Sequence, residues 1–349
     1  MARINPDFAK EIFKYGNDDF NACYNCGNCT AVCSLSDKDN SFPRKMVRAT
    51  VLGLDEKITS SLDPWLCYYC GDCATTCPRQ ANPGELMMSL RRWLTAKYDW
   101  TGLSGLMYKS LFFSLFSFIA VAIAVILFSA QLSFNTEAIM HFGHQFEMWA
   151  IIAVFTLIIT PNLARMWWFV ILKPDIKVKF KTYFREFKEL LIHMFTQKRT
   201  LGCDDSQTRW FMHLVLVFGY LALLFTTVVL DWFGTENLFI ILLGYVESIA
   251  ILVITFIFVI GRIKQNREVN KFSQPSDWFF VIWLFLLGFT AFIVRGFIDL
   301  SIIETNLWLY LFHLIVLVQW ALIIVPFGKW THFLYRSFAM YFEKVKQAL

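Results

Sequence analysis

Two cysteine runs constrain this chain more than any other feature of its sequence. Each run has the spacing Cys-x-x-Cys-x-x-Cys-x-x-x-Cys, and together they hold eight of the nine cysteines. The runs are Cys23, Cys26, Cys29 and Cys33, and Cys67, Cys70, Cys73 and Cys77. This spacing is typical of proteins that bind two [4Fe–4S] clusters, in which three close thiolates bind one cluster and the fourth binds its neighbour.

The same pattern predicts how the cysteines are shared between the two clusters. Because the fourth ligands cross over, we expect mixed ligand sets. These are Cys23, Cys26, Cys29 and Cys77 for cluster 1, and Cys67, Cys70, Cys73 and Cys33 for cluster 2. Structural zinc normally uses pairs of cysteines, and disulfides suit secreted chains, so these two alternatives fit the pattern less well. The first run departs from the pattern in one detail, since Ser34 follows it where Pro78 follows the second. This chemistry predicts an electron carrier.

Composition predicts that this electron carrier is a membrane protein. With 57% hydrophobic and 18% aromatic residues, the chain is too apolar for a soluble enzyme, and its apolar runs lie after residue 110. Six runs with few or no charges each approach the ~20 residues needed to cross a bilayer. They lie at about 110–130, 149–172, 211–230, 238–261, 278–298 and 307–327. We therefore expect a mainly α-helical chain, with an iron–sulfur domain at 1–105 and a six-helix membrane domain at 106–349.

Charge placement predicts the orientation of this membrane domain. Residues 1–20 contain no apolar segment after a basic start, so we expect no signal peptide and a cytoplasmic iron–sulfur domain. Six crossings then leave four segments on the cytoplasmic side, which hold 30 of the 32 lysines and arginines. These segments are 1–109, 173–209, 262–277 and 329–349. The positive-inside rule therefore predicts a protein of the cytoplasmic membrane with a cytoplasmic C-terminus. The net charge of +5 reflects this orientation and needs no nucleic-acid partner.

Outside the membrane, three stretches are predicted to be helical. One runs over 42–52, where Ser41 can cap it, and another follows Pro83-Gly84, so the iron–sulfur domain is a helical ferredoxin. Arg91, Arg92 and Lys97 on the second helix form either a solvated face or a docking surface. The third lies in the cytoplasmic segment 173–209, where aromatic residues alternate with lysines as in an amphipathic helix on the inner membrane surface. His193 and Cys203 fall in this segment, where we expect both to be structural.

Histidines predict a redox centre within the membrane domain. All six histidines lie after residue 110, and imidazole is a common axial ligand of haem iron. His213 near the start of the third span and His332 after the sixth are expected to bind an inner haem b. His313 lies 19 residues before His332, or about 28 Å along one straight helix, so it belongs to the outer half. It either binds a second haem with His144 or His141, provided that their loop folds inward, or hydrogen-bonds a quinone.

Three further ionisable residues lie within the predicted spans. Arg165 and Arg295 occupy depths at which haem propionates need a cation. Glu247 is expected to be the mid-membrane acid that relays protons, or else a protonated side chain satisfied by a neighbouring helix. We expect a quinone site near the outer leaflet, formed by His313, Glu247 and Arg295. The chain has no Gly-x-Gly-x-x-Gly or Walker motif, and so no evident nucleotide or flavin site of its own.

These residues together resemble a known arrangement. The cysteine half is similar to the C-type iron–sulfur subunit of heterodisulfide reductase. The helices with His213 and His313, and the segment Pro326-Phe327-Gly328-Lys329-Trp330-Thr331-His332, resemble the cytochrome b subunits of nitrate and heterodisulfide reductases. Their fusion resembles the C-type subunit of the quinone-interacting membrane-bound oxidoreductase, the Qmo complex. The expected fold is therefore a helical dicluster ferredoxin domain followed by a cytochrome b-type bundle.

The resemblance also implies partners that the residues do not reveal. It implies cytoplasmic flavin and iron–sulfur subunits similar to the A-type subunit of heterodisulfide reductase, with menaquinone as the membrane substrate and adenylylsulfate reductase as a further partner. Two alternatives remain. One is a heterodisulfide reductase-type subunit of another respiratory complex, although the chain has no Cys-Cys pair of the kind that disulfide-cleaving subunits use. The other is a membrane anchor or redox sensor without catalysis.

Overall fold

The computed structural model describes residues 3–16, 19–198, 201, 207–233, 237–265 and 268–348. Within these ranges the regular structure is helical and contains no strand, as the sequence predicts. Six of the helices are long and apolar enough to cross a membrane, which confirms the predicted number. Cys203, the ninth cysteine, lies outside the described residues.

The N-terminal region consists of short helices around the two cysteine runs. Its longer helices are α1 (Phe8–Phe13), α2 (Arg44–Val51), α3 (Pro83–Tyr98) and α4 (Leu103–Lys109), and its helical turns are Asp19–Ala22, Asn28–Ala31, Asp55–Thr59, Asp63–Leu66 and Asp72–Thr75. Pro83 opens α3, where the missing N–H costs no helical hydrogen bond. The Asp99 carboxylate after α3 accepts from the Ser104 N–H at 2.8 Å and so helps to start α4.

The rest of the chain forms the membrane bundle and two helices beside it. These are α5 (Leu111–Gln131), α6 (Thr136–Leu172), α7 (Phe180–Thr196), α8 (Gln207–Phe233), α9 (Leu238–Lys264), α10 (Pro275–Asp299), α11 (Glu304–Phe327) and α12 (His332–Gln347), with a turn at Glu268–Lys271. A capping box formed by Gln274 and Asp277 opens α10. Helices α7 and α12 lie outside the six spans and pack on each other, since the Tyr341 hydroxyl donates to the Tyr183 carbonyl.

Helix α6 begins earlier than the sequence predicts. The Asn135 side chain accepts from the Ala138 N–H at 2.9 Å, so residues 136–148 continue the second span as a helix. The apolar pattern alone places these residues in an outer loop. His141, His144 and Glu147 therefore lie on α6.

Wide turns interrupt α6 and α11 beside their prolines. Helix α11 changes to π-helical hydrogen bonding at Trp320–Ile324, directly before Pro326, and it ends at Gly328. A proline has no N–H for the preceding turn, and a π turn accommodates that loss. His332 then starts a new helix, so the straight-helix rise from His313 to His332 does not apply to this chain.

The iron–sulfur region and the membrane bundle share one hydrophobic core. Trp65 and Tyr98 from the N-terminal region pack on Tyr335 of α12, with ring centroids 5.2 and 5.4 Å from the Tyr335 ring. Met166 and Val170 near the C-terminal end of α6 belong to the same core. The two regions are thus joined by packed side chains, which fixes the cysteine runs against one end of the bundle.

Helix α7 has the predicted amphipathic character. Phe180, Phe184, Phe187 and Leu191 form an exposed stripe along it, whereas Leu190 and His193 are buried against the bundle. Its position on the inner membrane surface stays a prediction.

Candidate redox sites

The fourth cysteine of the second run lies beside the first run. Cys77 shares a cavity of about 340 Å³ with three cysteines of that run, namely Cys23, Cys26 and Cys29. The Asn25 N–H donates to Cys23 Sγ at 3.3 Å, and the Ala81 N–H donates to Cys77 Sγ at 3.4 Å. Hydrogen bonds to sulfur stabilise thiolates and tune a bound cluster. The four sulfurs are thus gathered in the combination expected for cluster 1.

The reciprocal group is built in the same way. Cys33 lies within electrostatic range of Cys67 and Cys70, and Cys73 lies near all three. Burial raises the pKa of Cys33 to about 11 and also raises the pKa of Cys67, so both thiols hold their protons until a metal ion replaces them. Among the described residues, no three His, Cys, Asp or Glu side chains converge on a single metal ion. Both ligand sets stay predictions.

Arginines from two helices hold the backbone at the start of the second run. Arg91 Nε donates to the Pro64 carbonyl at 2.6 Å, and its Nη2 donates to the Cys67 carbonyl. Arg209 on α8 donates to the carbonyls of Tyr68 and Tyr69. Arg91 is therefore buried at the junction with the bundle, so both sequence interpretations, a solvated face and an outward docking surface, are wrong for it.

Arg336 on α12 is a third arginine beside the second cysteine run. Its guanidinium carbon lies 5.8 Å from the centre of the Tyr68 ring. Its Nε and Nη2 atoms are buried, and neither has a hydrogen-bond partner in the part of the chain that the structure describes. Buried N–H groups without partners are costly, so this side chain is suited to an anionic ligand.

Two histidines face each other close to Arg336. The rings of His213 and His332 have centroids 6.3 Å apart and planes at 75°. Metal–imidazole bonds are about 2 Å long and each nitrogen lies roughly 1 Å from its ring centroid, so imidazoles on opposite sides of one iron have centroids about 6 Å apart. The separation in the protein matches that geometry.

Hydrogen bonds orient both rings for ligation. His213 Nδ1 lies 2.6 Å from Gln197 Oε1, and His332 Nδ1 lies 2.5 Å from the Lys329 carbonyl oxygen. Both oxygens are acceptors, so each Nδ1 carries the proton and each Nε2 keeps its lone pair. Burial and the nearby Lys329 cation hold the pKa of His332 well below its ordinary value, which keeps it neutral. Haem ligation by this pair stays a prediction.

A buried ionic chain connects the second cysteine run to His332. The Tyr69 hydroxyl donates to Glu85 Oε2 at 2.6 Å, and Glu85 Oε1 pairs with Arg92 Nη1 at 3.1 Å. Arg92 Nη2 then pairs with Asp277 Oδ2 at 3.0 Å, and Asp277 Oδ1 pairs with Lys329 Nζ at 2.6 Å. Burial, followed by the Glu85 charge, raises the pKa of Tyr69, so the phenol stays protonated and donates. Arg92 thus joins α3 to α10 and, like Arg91, is neither solvated nor available for docking.

A second cavity lies within the membrane bundle, between α6, α8, α10 and α11. Its polar lining consists of Glu147, Tyr220, His313 and Trp320. The remaining lining is apolar, as is usual for small-molecule sites. His313 Nδ1 lies 2.8 Å from the Thr290 hydroxyl.

The other residues predicted for the quinone site lie elsewhere. Glu247 is buried on α9, with no hydrogen-bond partner for its carboxyl oxygens among the described residues, and it does not line the cavity. Arg295 pairs with Asp299 at 2.6 Å and also lies outside the lining. The structure brings neither residue into the cavity with His313.

The remaining predicted ligands are also placed away from these sites. His144 lies one turn before Glu147 on α6 and does not line the cavity. Among the described residues, His313 is the one histidine in the lining. Arg165 Nε donates to the Tyr98 carbonyl at 2.8 Å and so holds the end of α3. His141 is exposed, and His193 is buried on α7.

Sequence reasoning misses Glu147 and Arg336. The apolar pattern leaves Glu147 in a loop, although Asn135 followed by Thr136 and Glu137 is a helix-start pattern that places it eleven residues into α6. No sequence signal distinguishes Arg336 from the other basic residues outside the predicted spans.

Residues 19–81 match the 4Fe-4S dicluster domain family. A protein of Archaeoglobus profundus that is similar to the C-type subunit of heterodisulfide reductase is 31% identical over 91 residues, which cover 26% of this chain and 48% of that protein. The second C-type iron–sulfur subunit of the CoB–CoM heterodisulfide reductase of Methanocaldococcus jannaschii is 32% identical over 99 residues, which cover 26% of this chain and 53% of that protein. The chain thus spans about half the length of the curated relatives that it matches. No solved structure matches it.

These matches cover the cysteine region and do not extend over the helical bundle, which the structure alone describes. The chain has an N-terminal 4Fe-4S dicluster domain, whose homologues are C-type heterodisulfide reductase subunits, packed on helices able to cross a membrane. This combination indicates a membrane electron-transfer component of an oxidoreductase complex.

Proposed function

We propose that this chain passes electrons between a membrane quinone and a soluble oxidoreductase, through one haem b and two [4Fe–4S] clusters. In this proposal it is the C-type subunit of a Qmo complex and uses menaquinone. Its soluble partners are flavin and iron–sulfur subunits similar to the A-type subunit of heterodisulfide reductase, and adenylylsulfate reductase lies beyond them. The sequence resemblance and the two redox sites at one end of the bundle support it.

One observation carries the proposal. Arg336 lies within electrostatic range of both Cys67 and His213, so the second cysteine group and the histidine pair are neighbours. Two one-electron sites placed side by side, one facing the membrane and one facing the cytoplasmic domain, form a conduit. A membrane anchor would not require this placement.

The residues around the histidine pair fit a haem b. The Nε2 atoms of His213 and His332 would bind the haem iron, and Gln197 and Lys329 hold the rings in the tautomer that leaves each Nε2 free to do so. The N–H groups of Arg336, which lack partners among the described residues, suit a propionate, the role that the sequence suggested for Arg165 and Arg295. When bound, the haem supplies a one-electron centre between a two-electron quinol and the clusters.

Cluster 1 forms the exit towards the soluble partner. Cys26 is exposed, and Tyr24 beside it is 71% exposed with the Arg79 guanidinium 4.3 Å above its ring. Exposed aromatic and arginine side chains are enriched at protein interfaces. The positive-inside distribution of charge supports a cytoplasmic position for this face.

The test is an optical spectrum of the purified full-length chain, with iron and haem counted per chain. We expect about eight cluster irons and one dithionite-reducible b-type haem. His213→Ala and His332→Ala should each remove that haem, whereas the exposed His141→Ala should retain it. Absence of haem from the wild type, or unequal loss in the first two variants, would refute the conduit and favour an anchor or sensor.

A further inference from the structure

The cavity in the membrane bundle has the polarity of a site for an apolar ring with two oxygens. Its lining is mostly apolar with a few polar groups, which is the usual composition of small-molecule sites. The three polar side chains free to contact a ligand come from three helices, namely Glu147 from α6, Tyr220 from α8 and His313 from α11. They converge within an otherwise apolar lining.

The tautomer of His313 follows from its hydrogen bond. The Thr290 hydroxyl has one hydrogen, and its 2.7 Å contact with the Leu286 carbonyl uses it, because a carbonyl oxygen cannot donate. Thr290 Oγ1 therefore accepts from His313 Nδ1 at 2.8 Å. His313 Nε2 is left as an acceptor, ready for a ligand O–H.

Tyr220 has the complementary role. The indole N–H of Trp320 donates to the Tyr220 hydroxyl oxygen at 3.2 Å, and an indole can only donate. The Tyr220 O–H is thus free to donate to an oxygen in the cavity. Glu147 lies within electrostatic range of Tyr220, and its carboxyl has no hydrogen-bond partner among the described residues.

We propose that this cavity binds the quinone headgroup, with Glu147 and His313 accepting the two protons of the quinol and Tyr220 donating to the oxygen beside Glu147. This inference rests on the proposed function. Oxidation of one quinol releases two electrons and two protons. The O–H protons go to the Glu147 carboxylate and to His313 Nε2, and a bound haem with the clusters would accept the electrons one at a time.

The position of the cavity suits both transfers. Tyr220 lies seven residues after His213 on α8, about 10 Å along the axis, and its ring is 6.1 Å from that of Trp330, two residues before His332. In the other direction, His144 and His141 follow Glu147 at steps of three towards the outer end of α6. Electrons therefore leave towards the cysteine runs, and protons leave towards the opposite side.

The experiment uses the full-length chain with its cofactors and menadiol as the electron donor. Glu147→Gln should slow haem reduction by menadiol roughly 100-fold, the loss expected for a missing general base, while dithionite reduces the haem as in the wild type. Tyr220→Phe should raise the KM for menadiol roughly tenfold. Glu137→Gln, on the exposed first turn of the same helix, is the matched control and should have no effect.

Binding is measured separately, by calorimetric titration with menadione. Ala291→Phe, which fills the cavity, should abolish binding and leave the haem spectrum intact. The proposal is overturned if Glu147→Gln reacts like the wild type while Glu247→Gln does not, or if His313→Ala removes a haem, since the cavity would then hold that haem. If menadiol fails to reduce the haem of the wild type while dithionite succeeds, the proposed quinone function itself fails.

Discussion

Asp277→Asn should loosen the iron–sulfur domain from the membrane bundle. The Asp277 carboxylate is the one acid among the described residues that pairs with both Arg92, at 3.0 Å, and Lys329, at 2.6 Å. The side chains of Arg92 and Asp277 are 8% and 5% exposed. With Glu85 the chain contains two acids and two cations, so it is neutral as built. The substitution leaves two buried cations sharing one acid.

The magnitude follows from the burial of the pair. Removing one partner of a buried ion pair costs about 3–5 kcal/mol, because the remaining charge is left uncompensated. At 1.4 kcal/mol per decade, this shifts the opening equilibrium of the junction roughly 100- to 4,000-fold. Asp299→Asn is the matched control on the same helix, since its partner Arg295 is 27% exposed and such a pair contributes about 0–1 kcal/mol.

Hydrogen exchange measured by mass spectrometry reads this opening directly. The backbone amides of α3 should exchange at least 100-fold faster in Asp277→Asn than in the wild type or Asp299→Asn. The double variant Asp277→Asn with Lys329→Gln restores charge balance around Arg92, so it should recover part of the protection. Equal exchange of α3 in both single variants would show that the ionic chain does not hold the junction.

Two further predictions concern the redox sites. Cys77→Ser should disrupt the cluster of the first cysteine run and spare the other, because Cys77 shares its cavity with Cys23, Cys26 and Cys29. Electron paramagnetic resonance spectra distinguish the two clusters, and selective loss of the Cys67 cluster would contradict the crossed ligand sets. Arg336→Gln should lower the reduction potentials of the haem and of the Cys67 cluster by several tens of mV, because a nearby cation stabilises the reduced forms. Redox titration measures the shift, and Arg79→Gln near the first run is the control; equal shifts in both variants would refute a specific role for Arg336.

The sequence predicted most of the helical architecture. The six spans were readable because a bilayer requires about 20 apolar residues per crossing, a requirement that each segment meets by itself. The start of α6 was missed because apolar content marks the part of a helix within the lipid, whereas the polar turns at 136–148 extend beyond it. The end of α11 at Gly328 depended on Pro326, for which sequence predicted only a kink.

The candidate sites also contain residues that the sequence predicts and residues that only the structure places. Cysteine spacing predicted which thiolates bind a cluster, because the ligands of one face lie within seven residues and their chemistry is local. The roles of Arg91, Arg92 and Glu147 depended on partners far along the chain, such as Asp277 for Arg92. A basic residue on a helix has the same local pattern whether it faces water or a buried acid.

By itself, therefore, the sequence determined the dicluster iron–sulfur domain and the number of spans, and it predicted the cluster ligands and the distribution of charge between the two sides, since each follows from neighbouring residues or from composition. Only the tertiary structure decided that the predicted pair of His213 and His332 lies beside the Cys67 group, that Glu147 rather than Glu247 shares a cavity with His313, and that α3 is locked to α10 by Arg92. Those pairings form between helices distant in sequence, and the packing of the bundle sets which faces meet.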